Sequence, residues 1–192
     1  MNIFYLDSDP VIAAQMQCDK HVVKMIVESA QMLSTAHRLL DGTLVDGKRM
    51  VAGSVPVRWR KYKSWIHPDS VKEQTLYKAV HMSHPSTLWT MESLANYNWH
   101  YQHFVALCDE YKYRYNKIHA TASLLTFLLD EIPDNIPDVG PTPVRLAMKS
   151  NPECMHADDP VRSYREFYQT KQTRFKMVWT KRDKPEWFTV TK

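Results

Sequence analysis

Between Cys18 and Leu40 the chain reads CDKHVVKMIVESAQMLSTAHRLL. Val22, Val23, Met25, Ile26, Val27, Ala30, Met32, Leu33, Ala36 and Leu40 spread around nearly the whole circumference of a 3.6-residue helix, which predicts a long and mostly buried helix. His21, Lys24, Glu28, Gln31 and Thr35 interrupt that pattern along a stripe of about 80°. A narrow polar line on an apolar cylinder has two readings. It is the wall of a cleft that holds functional groups, or it is a thin solvent-exposed strip in which Lys24 and Glu28 pair at i, i+4 and His21 is a core histidine.

Elsewhere the pattern is less continuous. Asn2 to Leu6 alternates weakly and is β-prone, predicting a short strand, and Asp9-Pro10 is a helix start with Asp as the cap and Pro in the first turn. The long helix should end near Asp41-Gly42; residues 43–83 then lose clear periodicity and form an elaborated arm punctuated by Gly47, Gly53, Pro56 and Pro68. A second long helix is expected from Pro85 to about Asn116. Its apolar arc is Leu94, Tyr97, Tyr101, Phe104, Val105 and Cys108, and its polar arc carries Trp89, Glu92, Ser93, Asn96, His100 and His103. A third helix, about Ala120 to Glu131, precedes the proline-rich link IPDNIPDVGPTPVRLAM. Asp159-Pro160 opens a last helix to about Phe175, after which MVWT and EWFTVT read as short strands. The expected fold is mainly α: a single helical domain over residues 1–192, with two long packed helices and a small β element joining the chain ends.

Composition narrows the class. A length of 192 residues fits one domain, and 44% hydrophobic with 24% charged residues is ordinary for a globular protein. Three cysteines at wide spacing argue against a disulfide framework and for a reducing compartment. The opening MNIFYLDSDP has neither a basic stretch nor a useful apolar run, so neither secretion nor membrane spanning is expected. Net charge is only +4, but it is unevenly placed. In VPVRWRKYKSWIHP, Arg58, Arg60, Lys61 and Lys63 alternate with Trp59, Tyr62 and Trp65, joining phosphate-pairing charge to rings that can stack or wedge. Arg162, Arg165 and Lys171 open a second basic region. These residues are the candidate nucleic-acid contacts; the alternative is a solvated face.

With four glycines there is no GxGxxG or GxxxxGK[ST], and no GxSxG, HExxH or CxxC occurs, so nucleotide folds, serine hydrolases, zincins and zinc ribbons lack support. No cofactor is expected. One metal set is arithmetically available, Cys18 and His21 with His81 and His84, although CxxH and HxxH pairs arise by chance in a chain with nine histidines. The metal-free constellation assumes that the polar lines of the two long helices meet. His21 or Glu28 would then serve as general acid or base, Lys24 as a cation for a phosphate or leaving group, and Asn96 and Gln31 as readers of a base edge, with Trp89, Glu92 and Ser93 around the substrate. A buried polar network that sets helix register explains the same residues.

CDKHVVKMIVESAQ, HPSTLW with NYNWHYQHF and LCDEYKYRY, PTPVRLAM, and DDPVRSYREFYQTKQ with VWTKRDKPEWF resemble a family of small proteins of tailed phages, over almost the whole chain. In build and context the chain is similar to the helical, glycosylase-like phage enzymes that act on pyrimidines in DNA, including the amino acid:DNA transferases. None of that group's catalytic motifs maps onto these positions. The resemblance implies an enzyme of the infected host cytoplasm that extrudes a modified pyrimidine from double-stranded DNA and transfers a group at its 5-methylene position or cleaves the base, with a small amine or amino acid as donor. Two other readings stand beside it: a non-catalytic factor that binds nucleic acid or a host protein, and a metal-dependent hydrolase.

Overall fold

The computed structural model describes residues 1–50, 52–53 and 55–190. They form one helical domain with seven α-helices, α1 (Pro10–Gln15), α2 (Asp19–Leu40), α3 (Ser70–Thr75), α4 (Pro85–Glu92), α5 (Leu94–Tyr115), α6 (Ala120–Asp130) and α7 (Pro160–Gln169), and one antiparallel hairpin, β1 (Thr43–Met50) with β2 (Trp59–Ile66). Val22, Met25, Ile26, Ala30, Leu33 and Ala36 bury the length of α2 against Tyr97, Phe104 and Leu107 of α5, Leu125 and Leu129 of α6, and Tyr164, Phe167 and Tyr168 of α7. The two long packed helices of the sequence reading are therefore α2 and α5. No described helix is long and apolar enough to cross a membrane.

Local chemistry sets the boundaries. The Asp9 carboxylate accepts the Val11 and Ile12 amides to open α1, and Asp159 accepts the Arg162 amide to open α7. The stretch expected as one helix from Pro85 is two. Ser93 is extended (φ −157°, ψ 157°), its hydroxyl accepts the Asn96 amide, and the Leu94 amide leaves the helical ladder for the Pro137 carbonyl. Asn116, in the left-handed region at φ 53°, closes α5.

The β element lies within the arm and does not join the chain ends. Residues 2–6 form no strand: the Asn2 amide donates to Glu28, its side-chain amide to the Ala147 carbonyl, and Phe4 is left-handed at φ 49°. MVWT and residues 186–190 of EWFTVT are likewise irregular, and are held by side chains such as Trp179, whose indole donates to the Met16 carbonyl, and the buried Phe188; Thr191 lies outside the described residues. β-propensity predicted strands there, but a strand needs a second backbone in register, and among the described residues the paired strands are β1 and β2.

The hairpin is fastened to the body by Arg38, whose side chain is fully buried. All five guanidinium N–H groups have acceptors: the carbonyls of Trp65, Glu73, Leu76 and Tyr77, and the Glu73 carboxylate. Burial alone would raise the Glu73 pKa; hydrogen bonds from Lys78, the His67 amide and Arg38 overcome it and hold the carboxyl at about 2. Gly42 permits the close approach at this root, since a Cβ there would stand 2.3 Å from the Arg38 carbonyl oxygen and 2.9 Å from that of Ile66. Arg38→Met should cost about 3–5 kcal/mol in urea denaturation, because four carbonyls and a carboxylate lose their donor together. A change below about 1 kcal/mol would show that this cluster is not what holds the arm.

Candidate functional site

The hairpin is where the sequence's basic-aromatic cluster resides. Its register pairs Leu44 with Trp65, Asp46 with Lys63, Gly47 with Tyr62, Lys48 with Lys61, Arg49 with Arg60 and Met50 with Trp59. The ring of Tyr62 lies on Gly47, where a Cβ would come within 2.6 Å of it. Arg58, Trp59, Arg60, Lys61, Tyr62 and Lys63 are all exposed, and Trp65 is half-buried at the root. Over residues 43–66 six cations face one carboxylate, a net charge of +5, while the chain as a whole carries +4. The rest of the molecule is therefore net −1. Lysine directly opposite lysine weakens a strand pair, so this pattern does not serve the hairpin's own stability. Beside it runs a groove of about 740 Å³ with Lys48, Lys63 and Lys78 on its walls, Tyr62 and Trp65 between them, and no carboxylate in its lining. Lys48 was missed in the sequence because it lies outside the dense Arg58–Trp65 run; the pairing register brings it to Lys61.

The polar stripe of α2 is partly sealed. His21 is buried, with Nδ1 2.7 Å from the Tyr168 hydroxyl and its ring packed on Phe4 and Phe175. Burial, aided by the charges of Lys24 and Lys171, lowers its pKa to about 4, so the imidazole is neutral near pH 7. Lys24 is exposed and pairs with Glu28 at 3.1 Å, while Glu28 also accepts the Asn2 amide. Gln31 is half-buried beyond them, and Thr35 turns inward, its hydroxyl donating to the Gln31 carbonyl. The groups near this stripe that sequence reasoning placed elsewhere are Lys171 and His84. Lys171 is only 8% exposed, and its ammonium stands 3.3 Å from the centroid of the Phe167 ring. Desolvation, with help from the charges of Arg174 and Lys24, brings its pKa down to about 8.

The polar groups of α4 and α5 have other partners. Asn96 donates to the Trp89 carbonyl and the Thr142 hydroxyl and accepts the Thr142 amide, so both of its amide hydrogens are committed and no donor is left for a base edge. Trp89 is buried and its indole donates to the Thr142 carbonyl; Glu92 holds Thr142 and Arg145; Ser93 is the α5 cap. Asn96, Trp89 and Glu92 anchor the proline-rich link to the helices, and the catalytic grouping of Asn96 with His21, Lys24 and Glu28 is not assembled by these contacts. Of the second basic region, Arg162 pairs with Glu166 and Arg165 with Asp7 and the Leu6 carbonyl.

Among the described residues the group able to hold a metal is His37, Asp41 and His67, not the set read from spacing. Cys18 and His21 do meet, at 3.6 Å, but His84 uses Nδ1 to cap α4 and His81 is exposed. The i, i+4 pair His37 and Asp41 was visible in the sequence; that His67 joins it follows only from the return of β2 to the start of β1. No protein-family model, curated protein or solved structure matches the chain.

Burial keeps four histidines neutral, with folded pKa values of about 4 for His21 and His37 and about 3 for His100 and His103. Their unfolded value is near 6.5. The unfolded chain then binds more protons below pH 6.5, so this stabilisation is complete above that pH and is lost as pH falls toward 4 and then 3. Each histidine contributes at most about 1.4 kcal/mol per pH unit. Urea midpoints should drop steeply between pH 7 and 5, and equal midpoints at those two pH values would refute the burial of neutral imidazoles.

Proposed function

We propose that the chain binds double-stranded DNA through the β1–β2 arm. What carries this reading is a charge of +5 gathered on one exposed ribbon, with like charges set opposite each other, on a body that is net −1. A polyanion removes the repulsion between Lys48 and Lys61, releases counterions and so turns a local cost into affinity. A two-stranded ribbon has the width that the major groove admits, and Trp59, 65% exposed opposite Met50, stands where a ring can meet bases or sugars. Lys48→Ala with Lys61→Ala should weaken binding of any duplex and lower the slope of log K against log salt by about one unit per lost phosphate contact. Arg162→Ala should change neither. Anisotropy titrations of a labelled duplex across a salt series check this; unchanged affinity in the Lys48/Lys61 variant sinks the reading and favours the arm as a protein-docking element.

A specific observation also supports chemistry at the α2 stripe, the reading in which the chain is a base-modifying transferase or glycosylase that works on an extruded pyrimidine with a small amine or amino-acid donor. Lys171 is a buried amine with no carboxylate partner among the described residues, beside Lys24, Arg174 and neutral His21. A lysine of that kind is a better nucleophile near neutral pH than exposed, ion-paired Lys24. In a glycosylase–lyase step its neutral amine attacks C1′ of the deoxyribose and the base departs with the bonding electron pair; the amine then gives up a proton as the C1′–O4′ bond opens and O4′ takes one, which leaves an imine that borohydride reduces to a stable adduct. With an abasic-site duplex, whose open-chain aldehyde condenses with the amine and releases water, borohydride should trap wild type and Lys24→Ala but not Lys171→Ala. Equal trapping by Lys171→Ala removes the assignment.

A further inference from the structure

We propose that His37, Asp41 and His67 bind a divalent transition-metal ion of the zinc class at the root of the arm. One donor atom from each residue lies within 4.8 Å of the other two, and His67 Nε2 is 3.8 Å from Asp41 Oδ2. Bonds of about 2.0–2.1 Å to zinc place tetrahedral donors some 3.4 Å apart, so the group closes on an ion by shifts of about an ångström or less per side chain. Both imidazoles are at least nine-tenths buried, and each presents one nitrogen, His37 Nδ1 and His67 Nε2, with no hydrogen-bond partner in the protein. Buried polar atoms are rarely left so, and two belonging to one three-donor cluster point to a ligand between them.

The surrounding contacts set the protons. Tyr97 donates its single hydroxyl hydrogen to the Leu129 carbonyl, 2.9 Å away, so at His37 Nε2, also 2.9 Å away, it must accept. His37 therefore carries its proton on Nε2 and keeps a lone pair on the unpartnered Nδ1 for a metal, the arrangement in which an outer hydrogen bond orients a ligating histidine. Asp41 is positioned by the amides of Asp134 and Asn135 and by the Asn135 side chain, and its negative charge offsets that of a cation. At His67, Nδ1 accepts the Asp69 amide at 3.1 Å, which places the proton on Nε2. Ligation moves that proton to Nδ1 and breaks the Asp69 contact, so uptake is coupled to the segment where Asp69 caps α3. Two imidazoles and one carboxylate suit zinc, cobalt, nickel or iron rather than magnesium or calcium.

Position suggests a purpose. Asp41 lies two residues before β1, His67 directly follows β2, and His37 belongs to the last turn of α2. An ion here ties both ends of the arm to the central helix, and this holds whether or not the arm binds DNA.

The test is a titration of chelator-treated protein with Zn²⁺ by calorimetry, with thermal unfolding followed in parallel and Co²⁺ absorption as a spectroscopic readout of nitrogen ligation. One ion per chain, a rise in melting temperature, and loss of both in Asp41→Asn and His67→Gln are expected. Lys48→Ala/Lys61→Ala, which leaves the cluster intact, should bind zinc as wild type does even if it no longer binds DNA. Circular dichroism without metal checks that the two site variants fold; if either does not, the Asp69 amide resonance of wild type, which should shift on Zn²⁺ addition, serves in its place. Absence of stoichiometric binding, binding that survives both Asp41→Asn and His67→Gln, or an Asp69 resonance unmoved by bound zinc would overturn the proposal.

Discussion

Two buried arginines organise the molecule. A helical domain this rich in short helices leaves many terminal carbonyls without intrahelical donors, and each must find one or bear the cost of burial. Arg38 satisfies two such carbonyls at the end of α3, Glu73 and Leu76, and also those of Trp65 and Tyr77 around the root of the arm. Arg114 does the corresponding work at the other end of α2: it donates to the carbonyls of Gln15 and Gln17 at the end of α1, pairs with Asp19 in the first turn of α2, and is held on α5 by Glu110. A guanidinium suits this role because its donors are fixed in one plane and its charge persists at every accessible pH.

This internal use of charge separates body from arm. Within the helical body several arginines have carboxylate partners: Arg145 has Glu92, Arg162 has Glu166, Arg165 has Asp7 and Arg182 has Glu110. On the arm a single carboxylate, Asp46, faces six cations, and its ion pair with Lys63 is long (3.9 Å) and exposed. The fold thus keeps an almost neutral scaffold and concentrates positive charge on one ribbon, whose base is crowded by Arg38, Gly42 and the His37–Asp41–His67 cluster.

The stripe on α2 is part structure and part surface. His21 is fixed by Tyr168 and flanking rings, and Thr35 is turned inward, as a register-setting network requires. Lys24, Glu28 and Gln31 remain at the edge, and the buried ammonium of Lys171 lies close enough for its charge to bear on His21. That mixture is why periodicity gave two readings of the same helix: each describes a different part of it.

What the sequence determined by itself was what depends on neighbours along the chain. The 3.6-residue period of the α2 segment, the Asp-Pro starts of α1 and α7 and the alternation of cations with rings from Arg58 to Trp65 are local patterns, and the helices and the basic arm followed from them. Tertiary structure decided what depends on a second segment. Ser93 broke a predicted helix because Pro137 could take the Leu94 amide; the terminal segments stayed irregular because neither found a partner strand; Asn96 was turned from a base reader into a loop anchor by Thr142; and His67 reached His37 and Asp41 because β2 runs back antiparallel to β1. Propensity and amphipathicity are properties of a window of residues. Hydrogen-bond partners and donor clusters are properties of the space between windows, and that space is set only when the chain closes on its core.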